Sequence, residues 1–178
     1  MEQPSCGAGY PLERIFLLDR SGSMQTIRDD TIGGYNSFVA SQTGGTMSLI
    51  LFDHEVLEVY KDVPMNEVKP LTDFVPRGST ALLDAMGHVL KTYTGKKTVV
   101  VLTDGYENAS KKFTHEHIKD LIDMKKKEGW DFVYLGADIK EGQDLGFNTS
   151  APYDSPEVFK SLSIAMTQAS QTGSHVSI

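Results

Sequence analysis

The chain has 178 residues, of which 24 are acidic and 17 are basic, so its formal net charge is −7. This length suits one domain with a sizeable core, and the acidic balance argues against a surface that tracks nucleic-acid phosphates. The single cysteine, Cys6, excludes an intramolecular disulfide. Residues 1–13 lack a basic start followed by an apolar stretch, and no apolar run approaches the roughly 20 residues that span a bilayer. We therefore expect a soluble, cytoplasmic protein.

Four short apolar runs indicate the strands of a central parallel sheet. They occupy residues 15–18, 47–52, 99–102 and 132–135. Near-continuous apolar runs of this length are typical of strands that are buried on both faces. Residues 55–60 mix charge into a β-rich stretch, which predicts an edge strand paired back on the second run.

The segments between these runs have helical periodicity. Residues 80–93 and 114–128 each place apolar side chains at spacings of three and four, and Thr114 is a suitable N-cap for the second helix. Residues 29–41 predict a weaker helix, because two adjacent glycines interrupt the pattern. A serine followed by proline at residues 155–156 predicts the start of a final helix.

Strands that alternate with helices predict an α/β fold with a parallel sheet and right-handed crossovers. We expect a flexible leader at residues 1–12, one domain at residues 13–170 and a tail at residues 171–178. The tail has no apolar pattern and is expected to be mobile.

Two of the apolar runs end in an aspartate, and ligand sites of α/β folds lie at the carboxyl ends of the strands. The first run leads into Asp19, with Ser21 and Ser23 at alternate positions after it, and the third leads into Asp104. A third polar loop ends in Thr80, at the start of the strongest predicted helix. Carboxylate and hydroxyl oxygens with few charges suit Mg²⁺ or Mn²⁺ rather than zinc or copper.

This arrangement of Asp-x-Ser-x-Ser, a threonine and a second strand-end aspartate resembles the metal-ion-dependent adhesion site of von Willebrand factor A (vWA) domains. Residues 18–24, 78–86 and 102–108 also resemble short stand-alone bacterial and phage members of that family. The resemblance covers roughly residues 12–146. It implies a three-layer, Rossmann-like fold, with helices on both faces of a mostly parallel sheet and one antiparallel edge strand.

The resemblance also implies a role for each site residue. The hydroxyls of Ser21 and Ser23 would coordinate Mg²⁺ or Mn²⁺ directly, and Thr80 would do so directly or through a water. Asp19 and Asp104 would act mostly through waters, or one of them directly. A Glu or Asp of a protein partner would fill the remaining position. Because the direct ligands would be mostly neutral, the ion would stay electrophilic toward that carboxylate.

The leading hypothesis is a metal-dependent protein-binding module without catalysis, because no His, Lys or Cys stands in these loops as an obvious base or nucleophile. A structural scaffold subunit that uses the metal only for stability is an alternative. A Mg²⁺-dependent phosphotransfer or hydrolase enzyme is less favoured, because the positions two and four after Asp19 are serines instead of a second carboxylate.

Several neighbouring residues leave alternatives open. Arg20 either points over the site, where it would attract a carboxylate, or is exposed. Asp84 follows Thr80 by one helical turn, so it either orients the site or is an ordinary polar position of the helix. Tyr106, Glu107 and Asn108 are expected at the rim, where partner choice is usually decided.

Overall fold

The computed structural model describes residues 11–104, 107–153 and 157–178. Within these residues, six strands form one sheet: β1 (Glu13–Asp19), β2 (Thr46–Phe52), β3 (Val56–Pro64), β4 (Thr98–Thr103), β5 (Asp131–Gly136) and β6 (Thr149–Pro152). Their order across the sheet is β3-β2-β1-β4-β5-β6. β3 is antiparallel to β2, and every other neighbouring pair is parallel. The predicted mostly parallel sheet with one antiparallel edge strand is confirmed.

In the described part of the chain, five α-helices cover this sheet: α1 (Arg28–Ser41), α2 (Leu82–Thr92), α3 (His115–Lys127), α4 (Ile139–Leu145) and α5 (Glu157–Thr172). The predicted helices at 29–41, 80–93 and 114–128 correspond to α1, α2 and α3. The hydroxyl of Thr114 accepts a hydrogen bond from the His117 amide at 3.2 Å, as expected of an N-cap. The predicted start of the last helix at residues 155–156 lies outside the described residues. Among the helices that the structure describes, none is long and apolar enough to cross a membrane.

Strand β1 separates two hydrophobic cores. Its side chains point alternately to opposite faces of the sheet. Phe16 and Leu18 pack in the core formed with α1 and α5, whereas Ile15 and Leu17 pack in the core formed with α2 and α3. All four side chains are at most 1% exposed. The three-layer architecture therefore follows from strands that are buried on both faces.

The parallel register aligns the carboxyl ends of three adjacent strands. Asp19 at the end of β1 lies beside Phe52 at the end of β2, and Leu18 lies beside Leu102 of β4. Asp53 and Asp104 each lie just past this edge. The fold thus brings three strand-end aspartates to one edge of the sheet.

The chain after α5 contacts the rest of the domain through Val176. Val176 is only 2% exposed and packs in the core on the α1 and α5 side. Its amide donates to Asp131 Oδ2 at 2.6 Å, and its carbonyl accepts from the Thr149 hydroxyl at 3.0 Å. Val176 stands among mostly polar residues and gives no periodic pattern, yet its burial and its two backbone hydrogen bonds place this segment against the domain.

The two glycines that appeared to interrupt the first predicted helix lie inside a continuous α1. A Cβ atom at Gly34 would lie 2.2 Å from the Phe159 ring of α5, whereas one at Gly33 would meet nothing within 4 Å. Gly34 therefore permits the close approach of α1 to the Phe159 ring.

Candidate metal centre

The loops that follow β1 and β4 meet at the carboxyl edge of the sheet. The Ser21 and Ser23 hydroxyl oxygens lie 3.1 Å apart, and the Ser23 hydroxyl donates to Asp104 Oδ1 at 2.8 Å. Ser21 is buried, whereas Ser23 is exposed, so the pair leads from the interior to the surface. The structure thereby joins three of the predicted site residues by direct side-chain contacts.

Asp19 lies beneath these hydroxyls and is fully buried. Its Oδ1 accepts from the Ser21 amide at 2.6 Å, and its Oδ2 accepts from the Thr103 hydroxyl at 2.5 Å. Burial raises the pKa of the Asp19 carboxyl and the nearby Asp104 charge adds to this effect, while the Thr103 and Ser21 hydrogen bonds oppose it. The carboxylate oxygens already have donors, and no described residue forms an ion pair with Asp19, which fits an ion held nearby through water.

A backbone hydrogen bond between two glycines joins the loop that carries Thr80 to the loop that carries Ser21 and Ser23. The Gly22 amide donates to the Gly78 carbonyl at 2.9 Å. Gly78 has a φ of +68°, and a Cβ atom there would lie 2.3 Å from Nδ1 of His54. Both the left-handed backbone and the close imidazole require glycine at this position. Thr80, two residues later, is 3% exposed.

The chain after β4 anchors the start of α2. Asn108 Oδ1 accepts from the Thr80 amide at 2.9 Å, and Glu107 Oε1 accepts from the Leu83 amide at 2.9 Å. Glu107 and Asn108, which were expected at the rim, therefore use their side chains to hold backbone amides around Thr80. Tyr106 lies outside the described residues.

This architecture is similar to that of solved vWA structures. The von Willebrand factor type A structure from Catenulispora acidiphila aligns with a TM-score of 0.64 and 15% identity, covering 91% of this chain and 43% of that chain. The ArnB paralog VWA2 from Sulfolobus acidocaldarius gives a TM-score of 0.63 and 15% identity, covering 88% of this chain and 45% of that one. The conserved hypothetical protein BatB from Bacteroides thetaiotaomicron gives 0.59 and 15%, covering 89% of this chain and 100% of that one. The chain has the vWA fold.

At these identities the likeness concerns the fold alone, and the chain spans less than half the length of the first two structures. No protein-family model matches the sequence, and no curated protein matches it.

Arg20 takes neither of the two positions considered from the sequence. Its side chain is only 15% exposed, and its Nε lies 3.2 Å from Asp53 Oδ2.

Asp84 accepts hydrogen bonds from the amides of Lys111, Lys112 and Phe113 at 2.9–3.1 Å. It therefore ties the segment that follows β4 to helix α2, and it supports the loop that carries Asn108.

Asp53 is the residue of this edge whose role the sequence reasoning missed. It is fully buried, and its Oδ2 accepts from Arg77 Nε at 2.7 Å. A signal was present, because the second apolar run also ends in an aspartate, as do the runs before Asp19 and Asp104.

Asp53, His54 and Glu55 form a group in the described ranges whose potential metal-ligand atoms all lie within 4.8 Å of one another. However, two guanidinium nitrogens, from Arg20 and Arg77, already approach Asp53 Oδ2. A metal ion would have to displace these cations, so we interpret the group as an ion-pair cluster. In contrast, no ion pair involves Asp19 or Asp104 within the described part of the vWA fold.

Proposed function

We propose that this chain is a metal-dependent protein-binding module. Ser21, Ser23 and Thr80 would hold Mg²⁺ or Mn²⁺ through their hydroxyls, and Asp19 and Asp104 would supply the negative charge. The observation that carries the proposal is the Ser23 hydroxyl, which lies 2.8 Å from Asp104 Oδ1 and 3.1 Å from the Ser21 hydroxyl. These hard oxygen donors, gathered from separate loops, match the ligand preference of Mg²⁺.

The electrostatics favour an acidic protein partner. Two carboxylates balance a divalent ion, but both Asp19 oxygens already accept hydrogen bonds within the protein. The direct ligands are therefore mostly neutral hydroxyls, and the bound ion supplies a Lewis-acidic position for the carboxylate of a Glu or Asp. Ser23 is exposed, so this position faces a partner's surface.

The side chains around the site support binding rather than catalysis, as is typical of vWA domains. Within the described residues, the hydrogen bonds of the Ser21 and Ser23 hydroxyls join them to each other and to Asp19 and Asp104, so no histidine or lysine activates either hydroxyl as a nucleophile. The scaffold hypothesis remains the main alternative, and chelation separates it from the proposal.

Calorimetric titration of Mg²⁺ and Mn²⁺ into the metal-free protein tests the site. We expect saturable binding at one site, lost in Ser21→Ala and Asp104→Ala and retained in Asp144→Ala, which removes an exposed aspartate of α4. Mn²⁺ should also broaden the NMR signals of the Ser23 and Thr80 amides before others. Folded wild-type protein that binds neither ion would overturn the proposal.

Binding of the peptide Ac-Gly-Glu-Gly-NH₂ tests the acidic ligand, with Ac-Gly-Gln-Gly-NH₂ as the matched control. Because an amide is a weaker ligand than a carboxylate, we expect the glutamate peptide alone to shift Ser23 and Thr80 signals, and only in Mg²⁺. Equal shifts in excess chelator would refute metal-dependent binding and would favour the scaffold hypothesis.

A further inference from the structure

Asp53 contacts the loops on both sides of the candidate metal centre. It follows β2, and its carboxylate is fully buried. We propose that Asp53 is a positioning residue that holds the loop of Ser21 and Ser23 at a fixed distance from the loop of Thr80. This inference rests on the proposed function, because it concerns how the same site is kept ready for an ion.

Arg20, which stands between Asp19 and Ser21 in the chain, connects Asp53 to the loop of Ser21 and Ser23. Its Nε lies 3.2 Å from Asp53 Oδ2, and its amide donates to the Phe52 carbonyl at 2.7 Å. The Arg20 side chain thus forms an ion pair with Asp53, and its main chain is hydrogen-bonded to the last residue of β2. The residues on either side of Arg20 are consequently held in place.

Asp53 is also hydrogen-bonded to the residues before and after Thr80 in the chain. Before it, Arg77 Nε donates to Asp53 Oδ2 at 2.7 Å, and the Arg77 amide donates to the Arg20 carbonyl at 2.8 Å. After it, the Ala81 amide donates to the Asp53 carbonyl at 2.7 Å. Asp53 therefore holds the segment on each side of Thr80. Its Oδ2, which lies near both Arg20 and Arg77, links that segment to the loop of Ser21 and Ser23.

The charge of Asp53 is central to this arrangement, since a single oxygen faces two guanidinium groups. Asparagine keeps the shape of the side chain but removes the charge that both arginines share. Residues that orient metal ligands without touching the ion typically contribute 10- to 100-fold to metal affinity. We expect a loss of about that size from Asp53→Asn.

The matched control is Asp131→Asn, because Asp131 is also a buried aspartate, 5% exposed, but lies at the opposite edge of the sheet. Titration of Mn²⁺ into both folded variants should give a dissociation constant raised about 10-fold or more in Asp53→Asn and near the wild-type value in Asp131→Asn. Arg77→Ala removes the side-chain contacts with Asp53 and Glu55 at a half-exposed position but leaves the Arg20–Asp53 ion pair, so it should weaken Mn²⁺ binding less while preserving the fold.

Amide hydrogen exchange in the metal-free proteins separates this inference from the proposed function. Gly22 and Arg77 donate hydrogen bonds that join the two loops, so their exchange should be faster in Asp53→Asn than in Asp131→Asn. If the wild type binds no ion, the proposed function fails, and exchange alone then decides whether Asp53 holds the loops. Unchanged exchange at these amides, or unchanged Mn²⁺ affinity where the wild type binds, would overturn the inference.

Discussion

Thr80 and Asn108 are joined by two hydrogen bonds that connect the start of α2 to the chain after β4. The Thr80 amide donates to Asn108 Oδ1 at 2.9 Å, and the Asn108 amide donates to the Thr80 carbonyl at 2.9 Å. One asparagine thus satisfies both backbone groups of the proposed threonine ligand. Its side chain would orient the ligand without touching the ion.

Replacement of Asn108 tests this pairing. We expect Asn108→Ala to weaken Mg²⁺ binding about 10-fold, because the Thr80 amide loses its acceptor. Asn108→Asp keeps an acceptor and should retain most of the affinity. Asn148→Ala is the control, since Asn148 Oδ1 accepts from the Phe132 amide at the same distance of 2.9 Å, far along the chain. It should lower the stability by about 1 kcal/mol and leave the calorimetric affinity unchanged.

Asp19→Asn should stabilise the metal-free protein at neutral pH. Burial raises the pKa of the Asp19 carboxyl in the folded state. As pH rises above the ordinary aspartate pKa of about 4, the unfolded chain ionises first, so the folded state loses stability until its own raised pKa is passed. Asparagine does not ionise. In EDTA, the variant should therefore unfold at a higher temperature than the wild type at pH 7, and the difference should shrink toward pH 4.

Added Mg²⁺ should reverse that order, because an ion that binds only the folded wild type stabilises it by mass action. Thermal unfolding followed by circular dichroism measures both effects, with the exposed Asp120→Asn as the control. A wild type that is more stable than Asp19→Asn in EDTA at pH 7 would contradict the interpretation.

Two adjacent glycines of α1 should respond to alanine in opposite directions. A methyl group at Gly34 would lie 2.2 Å from the Phe159 ring, so we expect Gly34→Ala to destabilise the fold by about 1–3 kcal/mol. Gly33 has free space and a helical backbone, so Gly33→Ala should stabilise it by about 0.5–1 kcal/mol. Urea unfolding measures both, and equal effects would show that α1 and α5 are packed less closely.

The segment after α5 should contribute to stability through Val176. Truncation to alanine removes two buried carbons from a residue that is 2% exposed, at a cost of about 1.5 kcal/mol. Ile178→Ala, at a residue that is 43% exposed, should change the stability by less than about 0.5 kcal/mol. Urea unfolding of the two variants compares them, and equal stability would indicate that the segment is not held in solution.

Much of the fold could be predicted because the central strands are apolar on both faces. β4 is buried at all six positions, and its four central residues are apolar. β6 gives no such signal, since its four residues are only partly buried at most and have no apolar pattern. α4 is also short, with seven residues, and only Gly142 and Leu145 of it are buried.

The strand-end positions of the candidate site were predictable for a related reason. Parallel strands end at one edge, so Asp19 and Asp104 had to come near each other once β1 and β4 were recognised. The role of Asp53 depends instead on side-chain contacts from other loops, including Arg77, 24 positions further along the chain. A local pattern contains no information about which distant guanidinium a buried carboxylate meets.

The contact between Ser23 and Asp104 spans 81 residues, and it has a consequence for the order of folding. A growing chain that has not yet produced β4 lacks half of the centre, so no ion can bind there while the first strands assemble. Contacts of such long range form late, after the entropy of closing the intervening loop has been lost. Mg²⁺ should consequently slow the unfolding rate and leave the folding rate nearly unchanged.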